Sequence, residues 1–148
     1  MDKYQHLHFY FDFTMPESHT LWDPLLSYCE NKPIHIYAYP ISRYLLSAYV
    51  EREFAEATSF QSLRGFDWLA ESRLALQISQ VEISDSMQFV VLECLLNYRW
   101  HKGQKIDRAD AIVPALDAIG LDGYDLLEQS SKYGGWQRVV HQTEEASF

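Results

Sequence analysis

Residues 7–40 read LHFYFDFTMPESHTLWDPLLSYCENKPIHIYAYP, and the parsing of this stretch decides the fold. LHFYFDF, residues 7–13, alternates and is rich in aromatic side chains, which predicts a strand. TLWDPLLSYCEN, residues 20–31, places Leu21, Leu25, Tyr28 and Cys29 near one face of a helix. Pro24 is then expected either in the first turn or at a kink, because it has no N–H to give the helical ladder. Asn31-Lys32-Pro33 breaks the pattern, and IHIYAYP follows as a second alternating strand that ends at Pro40. Two strands joined by a helical crossover lie parallel, so the opening of the chain reads as β-α-β.

Beyond Ser42 the period changes from strand to helix. SRYLLSAYVEREFAEA puts Tyr44, Leu45, Ala48 and Tyr49 on one side. Residues 63–81 form a second helical stretch, with Gly65 separating a short leading turn. Asp85-Ser86 offers a cap to MQFVVLECLLNYRWHKG, which stops at Lys102-Gly103. Asp107 is expected to cap RADAIVPALDAIG, closed by Gly120. Asp122 or Gly123 opens GYDLLEQSSKY, and Gly134-Gly135 leads into WQRVVHQTEEASF. Two strands make a poor sheet and leave unpaired edges, so either further strands lie within 41–148 or something else completes the sheet.

The 148 residues are 47% hydrophobic and 15% aromatic, enough for one domain with its own core. A formal charge of −9 repels phosphate backbones and argues against nucleic-acid binding. No apolar run reaches the ~18 residues of a membrane span, and MDKYQHLHFYFDF lacks the apolar core and cleavage site of a secretory signal. A cytoplasmic location is therefore expected, with no membrane partner. Cys29 and Cys94 sit in apolar helical patterns without a CxxC spacing, and read as free thiols rather than a disulfide.

FYFDFTMP followed by a helix, with Pro16 in the first turn, resembles the opening of the DsbA-like group of the thioredoxin superfamily. That group includes the 2-hydroxychromene-2-carboxylate isomerases and the kappa-class glutathione transferases. IHIYAYPISRYLL is similar to the group's second strand and its entry into a helical insertion. IDRADAIVPALDAIGLDGYDLLEQ looks like the late part of that insertion, and VVHQTEEASF like the helix that follows. The resemblance implies an α/β fold of thioredoxin type: a β-α-β part over 1–40, a helical insertion over 41–132 and a returning helix over 133–148. It also implies a small thiol ligand such as glutathione, or a peptide, as partner.

Two departures qualify that expectation. The group's nucleophilic Cys, or the Ser that binds a glutathione thiolate, precedes the proline; here Met15 stands there. A thioether cannot become a thiolate or exchange disulfides, so dithiol chemistry at residue 15 is excluded. Family members also continue into a cis-proline loop, two more strands and a final helix, whereas this sequence stops at Phe148. The closing strands are thus expected to be missing, and a homo-oligomer that completes the sheet is one way to replace them. The resemblance implies a glutathione-binding protein with at most residual isomerase or transferase activity; the alternative is a non-catalytic interaction module that works through the insertion or an open sheet edge.

The candidate ligand-binding residues are Asp12, Met15, Pro16, Ser18 and His19. Thr14-Met15-Pro16-Glu17 also reads as a capping box that merely starts a helix. In the functional reading, the amides of that turn hold an anion, Ser18 donates a hydrogen bond and His19 titrates near neutrality. Asp12 in an aromatic strand is costly unless paired, and serves either as an ordinary carboxylate at the strand's end or to tune a proton near His19. His6, His8 and His35 lie on neighbouring strands, a conceivable zinc set, but no Cys or acidic ligand joins them and surface histidines are the better reading.

Overall fold

The computed structural model describes residues 3–47, 70–80, 85–132 and 134–146. Strand β1 spans Gln5–Phe11, helix α1 Pro16–Cys29 and strand β2 Ile34–Pro40. Helical residues 43–47 (α2) and 70–79 (α3) follow, then α4 (Asp85–Leu96), α5 (Ala109–Asp117), α6 (Gly123–Lys132) and α7 (Gly135–Ala146). The parts of the expected helical stretches at 48–57, 63–69 and 81, with the turn at Gly65, and the chain end at Phe148 lie outside the described residues.

β1 and β2 pair in parallel, Gln5 opposite Ile34 through to Phe11 opposite Pro40, and form the sheet among the described residues. The expected β-α-β is therefore present, and the mixed α/β class with it. β1 leaves the ladder two residues before the aromatic pattern ends. Asp12 and Phe13 belong to a turn instead, because the Met15 N–H donates back to the Asp12 carbonyl at 3.0 Å.

α1 begins at Pro16, four residues ahead of the apolar period, since proline's fixed φ suits a first helical position. Two expectations for this helix hold only in part. Pro24 sits in its interior, on an exposed turn, and not in the first turn. The buried face carries Ser18, Trp22 and Cys29, while Leu21 and Tyr28 are 55% and 62% exposed. Trp22 has the most apolar surface to bury and turns its own side of the helix inward. Phe9 and Phe89 pack on its ring at 5.4 and 5.1 Å.

One continuous core runs from Phe11, Phe13 and Ile36 through Leu76 of α3 and Leu92 of α4 to Leu116 of α5 and Val139 of α7. α4 widens at its end into a π-helical turn, Asn97–His101, in which the Lys102 N–H reaches the Asn97 carbonyl at 2.9 Å. Gly103 then takes φ +68°, which glycine adopts without strain, and the helix ends where expected. α5 is preceded by Arg108 rather than capped by Asp107, and the Asp122 carboxylate accepts the Asp125 N–H at 3.0 Å at the start of α6. Cys29 and Cys94 are both free thiols.

Candidate functional site

The turn from β1 into α1 brings the sequence's candidate residues together, but in roles that differ from those expected. No side chain caps α1; its N-cap is Met15, in extended backbone. The capping box is therefore not formed. Thr14 is 3% exposed and its hydroxyl makes no hydrogen bond of ordinary geometry among the described residues, while Glu17 is exposed. Asp12 organises the turn in their place. Its Oδ1 accepts the Thr14 N–H at 3.0 Å and its Oδ2 the Arg43 N–H at 2.8 Å, so one carboxylate ties the end of β1 to the start of α2.

Asp12 is fully buried. Burial pushes its carboxyl above the ordinary value of 3.8, and the N–H groups of Thr14 and Arg43 with the Ser72 hydroxyl pull it partly back. Burial lowers the Arg43 guanidinium from its usual range, opposed by the charges of Asp12, Glu17 and Glu71. Ser18 is 3% exposed and its Oγ accepts the Asp12 N–H at 3.4 Å. That hydroxyl faces the strand end and not the solvent. Met15 is half-buried, and Pro16, which has no N–H, is exposed.

His19 joins a different partner from Asp12. Its Nε2 lies 3.1 Å from Asn97 Oδ1, in the π turn that closes α4. The same turn sends the Trp100 indole N–H to the Phe13 carbonyl at 2.9 Å and Arg99 to Glu71 at 2.6 Å, with the guanidinium 4.2 Å over the Trp100 ring. The widened turn thus braces the helix start. Sequence reading missed Arg43, Ser72, Asn97 and Trp100, because each reaches the turn from a distant element and none carries a local pattern.

The sheet offers a second surface. Leu7, Phe9 and Phe11 with Ile36 and Ala38 face the core, and the other face carries His6, His8 and Tyr10 beside His35, Tyr37 and Tyr39. Opposed rings stand side by side, His8 and Tyr37 at 5.3 Å and Tyr10 and Tyr39 at 5.1 Å, with 17° and 23° between planes. His8 Nδ1 and the Tyr39 hydroxyl share a hydrogen bond of 3.0 Å. Burial, and then the neighbouring Tyr10 and Tyr37, raise the Tyr39 phenol, so it keeps its proton at neutral pH. Among the described residues no group of three or more His, Cys, Asp or Glu side chains is arranged to hold a metal ion.

The two sheet edges differ. In a parallel ladder alternate residues of a strand bond to the neighbour and the others point their N–H and C=O away. Gln5 donates to Pro33 at 2.8 Å and Phe11 accepts from Ile41 at 2.9 Å, so the intervening odd residues of β1 face β2 and the even ones face outward. On β2 the outward carbonyls of Ala38 and Pro40 are covered, accepting from the Gln88 and Gln142 side chains at 3.1 Å each. On β1 the outward Asp12 N–H is taken by Ser18, but the outward groups of His8 and Tyr10 meet no partner among the described residues. No helix among the described residues is long and apolar enough to cross a membrane. The chain matches no family model, no curated protein and no solved structure.

Proposed function

We propose that this protein is a non-catalytic, thioredoxin-like interaction module that takes up a β-strand along the outer edge of β1. The supporting observation is the contrast between its two edges. The β2 edge ends in Pro40, and its Ala38 and Pro40 carbonyls accept from two glutamine side chains, whereas the outward backbone groups of His8 and Tyr10 meet no partner among the described residues. Edges are normally blunted by charge, proline, bulges or cover, and β1 carries no proline, acidic, lysine or arginine side chain over its length. Main-chain pairing along such an edge supplies affinity, and the alternating faces supply selectivity. Met15 at the start of α1 adds a chemical reason, since it leaves that turn without a nucleophile. Free thiols at both cysteines accord with a reducing cytoplasm.

The experiment is amide hydrogen exchange with and without a labelled Thr-Val repeat peptide of β1's length. Protection of the His8 and Tyr10 amides on saturable peptide binding is expected. Exchange at those amides that ignores saturating peptide rejects the reading.

A second reading, glutathione held at the start of α1, draws on the buried Thr14 hydroxyl beside the helix's amino end and on the nearby Arg43 guanidinium. Calorimetry with reduced glutathione tests it, using Arg43→Gln as the control; the Ser18 hydroxyl is engaged with Asp12 and makes a poor probe. Absence of heat at millimolar glutathione ends this second reading.

A further inference from the structure

We infer that the strand taken up by β1 is β1 of a second copy of this chain, antiparallel across a twofold axis at Phe9; this rests on the strand-accepting reading above. The outward groups of His8 and Tyr10 lie two residues apart, and an axis at Phe9 sets His8 of each copy opposite Tyr10 of the other. Each such pair exchanges two N–H···O bonds, so the contact satisfies both copies with the same groups. The register also keeps each face of the sheet matched. Every even residue meets an even one, so the His–Tyr face of one copy continues into that of the other. Phe9, partly buried on Trp22, meets its own counterpart on the apolar side.

Charge selects the same occupant. The chain carries −9, so two copies repel over most of their surfaces. Gln5–Phe11 contains no acidic or basic side chain other than its two histidines, and is a stretch along which two copies meet without opposing carboxylates. A peptide rich in lysine, arginine or acidic side chains finds no fixed countercharge on this strand, whereas the alternating strand of a second copy, which carries none of these, matches it. The product is a four-stranded sheet in which each β2, already blunted by Pro40 and its glutamine cover, becomes the outer strand. Parallel two-stranded pairing is thereby extended to the strand number at which sheets are ordinarily stable.

The test uses the full chain. Sedimentation equilibrium across the micromolar range is expected to give twice the chain mass of 17.4 kDa, and the His8 and Tyr10 amides are expected to gain exchange protection as concentration rises. The double variant His8→Lys/Tyr10→Lys sets like charges opposite each other only in the dimer. It is expected to weaken association at least about tenfold while the circular dichroism spectrum is kept. Should that variant lose its fold, the concentration dependence of wild-type exchange at His8 and Tyr10 decides alone. A chain that stays monomeric throughout, or a dimer whose His8 and Tyr10 amides exchange at a concentration-independent rate, overturns the inference. In either case saturable binding of the Thr-Val peptide preserves the strand-accepting reading, and failure of that peptide as well removes both.

Discussion

The backbone N–H of Arg43 donates to Asp12 Oδ2 at 2.8 Å, so the first residue of α2 is fastened to the residue that follows β1. A buried carboxylate holds two chain segments that meet only in the folded state. Because burial raises its pKa above 3.8, Asp12 binds its proton more tightly folded than unfolded. Its contribution to stability is therefore complete below the unfolded value and is lost as pH rises through the raised folded value. Asp12→Asn keeps one acceptor oxygen, leaves a buried N–H unmatched and costs about 1–3 kcal/mol at low pH. The gap between wild type and variant is expected to narrow as pH climbs from 3.8 towards neutrality, read from urea denaturation at a series of pH values. A gap that widens over that window would contradict the burial argument.

Two tryptophans with opposite hydrogen-bond status give a paired test. Trp100 donates its indole N–H to the Phe13 carbonyl at 2.9 Å, whereas the indole N–H of Trp22, 2% exposed, has no partner among the described residues. Trp100→Phe removes a donor from a buried carbonyl and is expected to cost about 1–3 kcal/mol. Trp22→Phe removes an unmet donor together with some buried surface, and the two effects offset to within about 1 kcal/mol. Trp22→Ala opens a cavity in the core and costs about 3–5 kcal/mol. Thermal or chemical unfolding of the three variants ranks them directly.

Gly123 is required for space and not for backbone freedom. A Cβ there would lie 2.7 Å from the Val113 carbonyl oxygen and 2.9 Å from its Cα, both backbone atoms of α5 that cannot swing aside. The Gly123 N–H also donates to Asp117 Oδ1 at 2.9 Å, so the start of α6 is pinned against α5. Gly123→Ala is expected to destabilise by about 1–3 kcal/mol through overpacking. A variant as stable as wild type in guanidinium titration would show that the two helices separate without cost.

Met15→Cys reports on the electrostatics of the α1 amino end. Residue 15 is the N-cap, so a thiolate there would lie beside the first unsatisfied amides of a 14-residue helix. Its thiol is expected to titrate below the free value of about 8.5. Cys94 provides the internal contrast, because burial raises its thiol and only Lys102 opposes that. Alkylation rates against pH distinguish the new thiol from the native ones, and a value near 8.5 at position 15 would mean that the amides do not reach it.

The alternation of aromatic side chains and the helical crossover between them were sufficient, as sequence, to place two parallel strands around α1. Gly103 and Gly120 likewise marked helix ends, since a positive φ is a local demand that glycine meets best. The face of α1 was not legible, because Leu21 and Trp22 compete for the core and only packing against Phe9 and Phe89 decides between them. The partners of Asp12 and His19 come from Arg43 and Asn97, far along the chain, and no periodicity encodes such meetings. The same holds for the sheet edges: Gln88 of α4 and Gln142 of α7 reach the Ala38 and Pro40 carbonyls of β2, while the outward groups of His8 and Tyr10 on β1 meet no partner among the described residues. Local spacing determines which backbone hydrogen bonds a segment can form with itself; which of the remaining donors and acceptors are met depends on where distant helices come to rest.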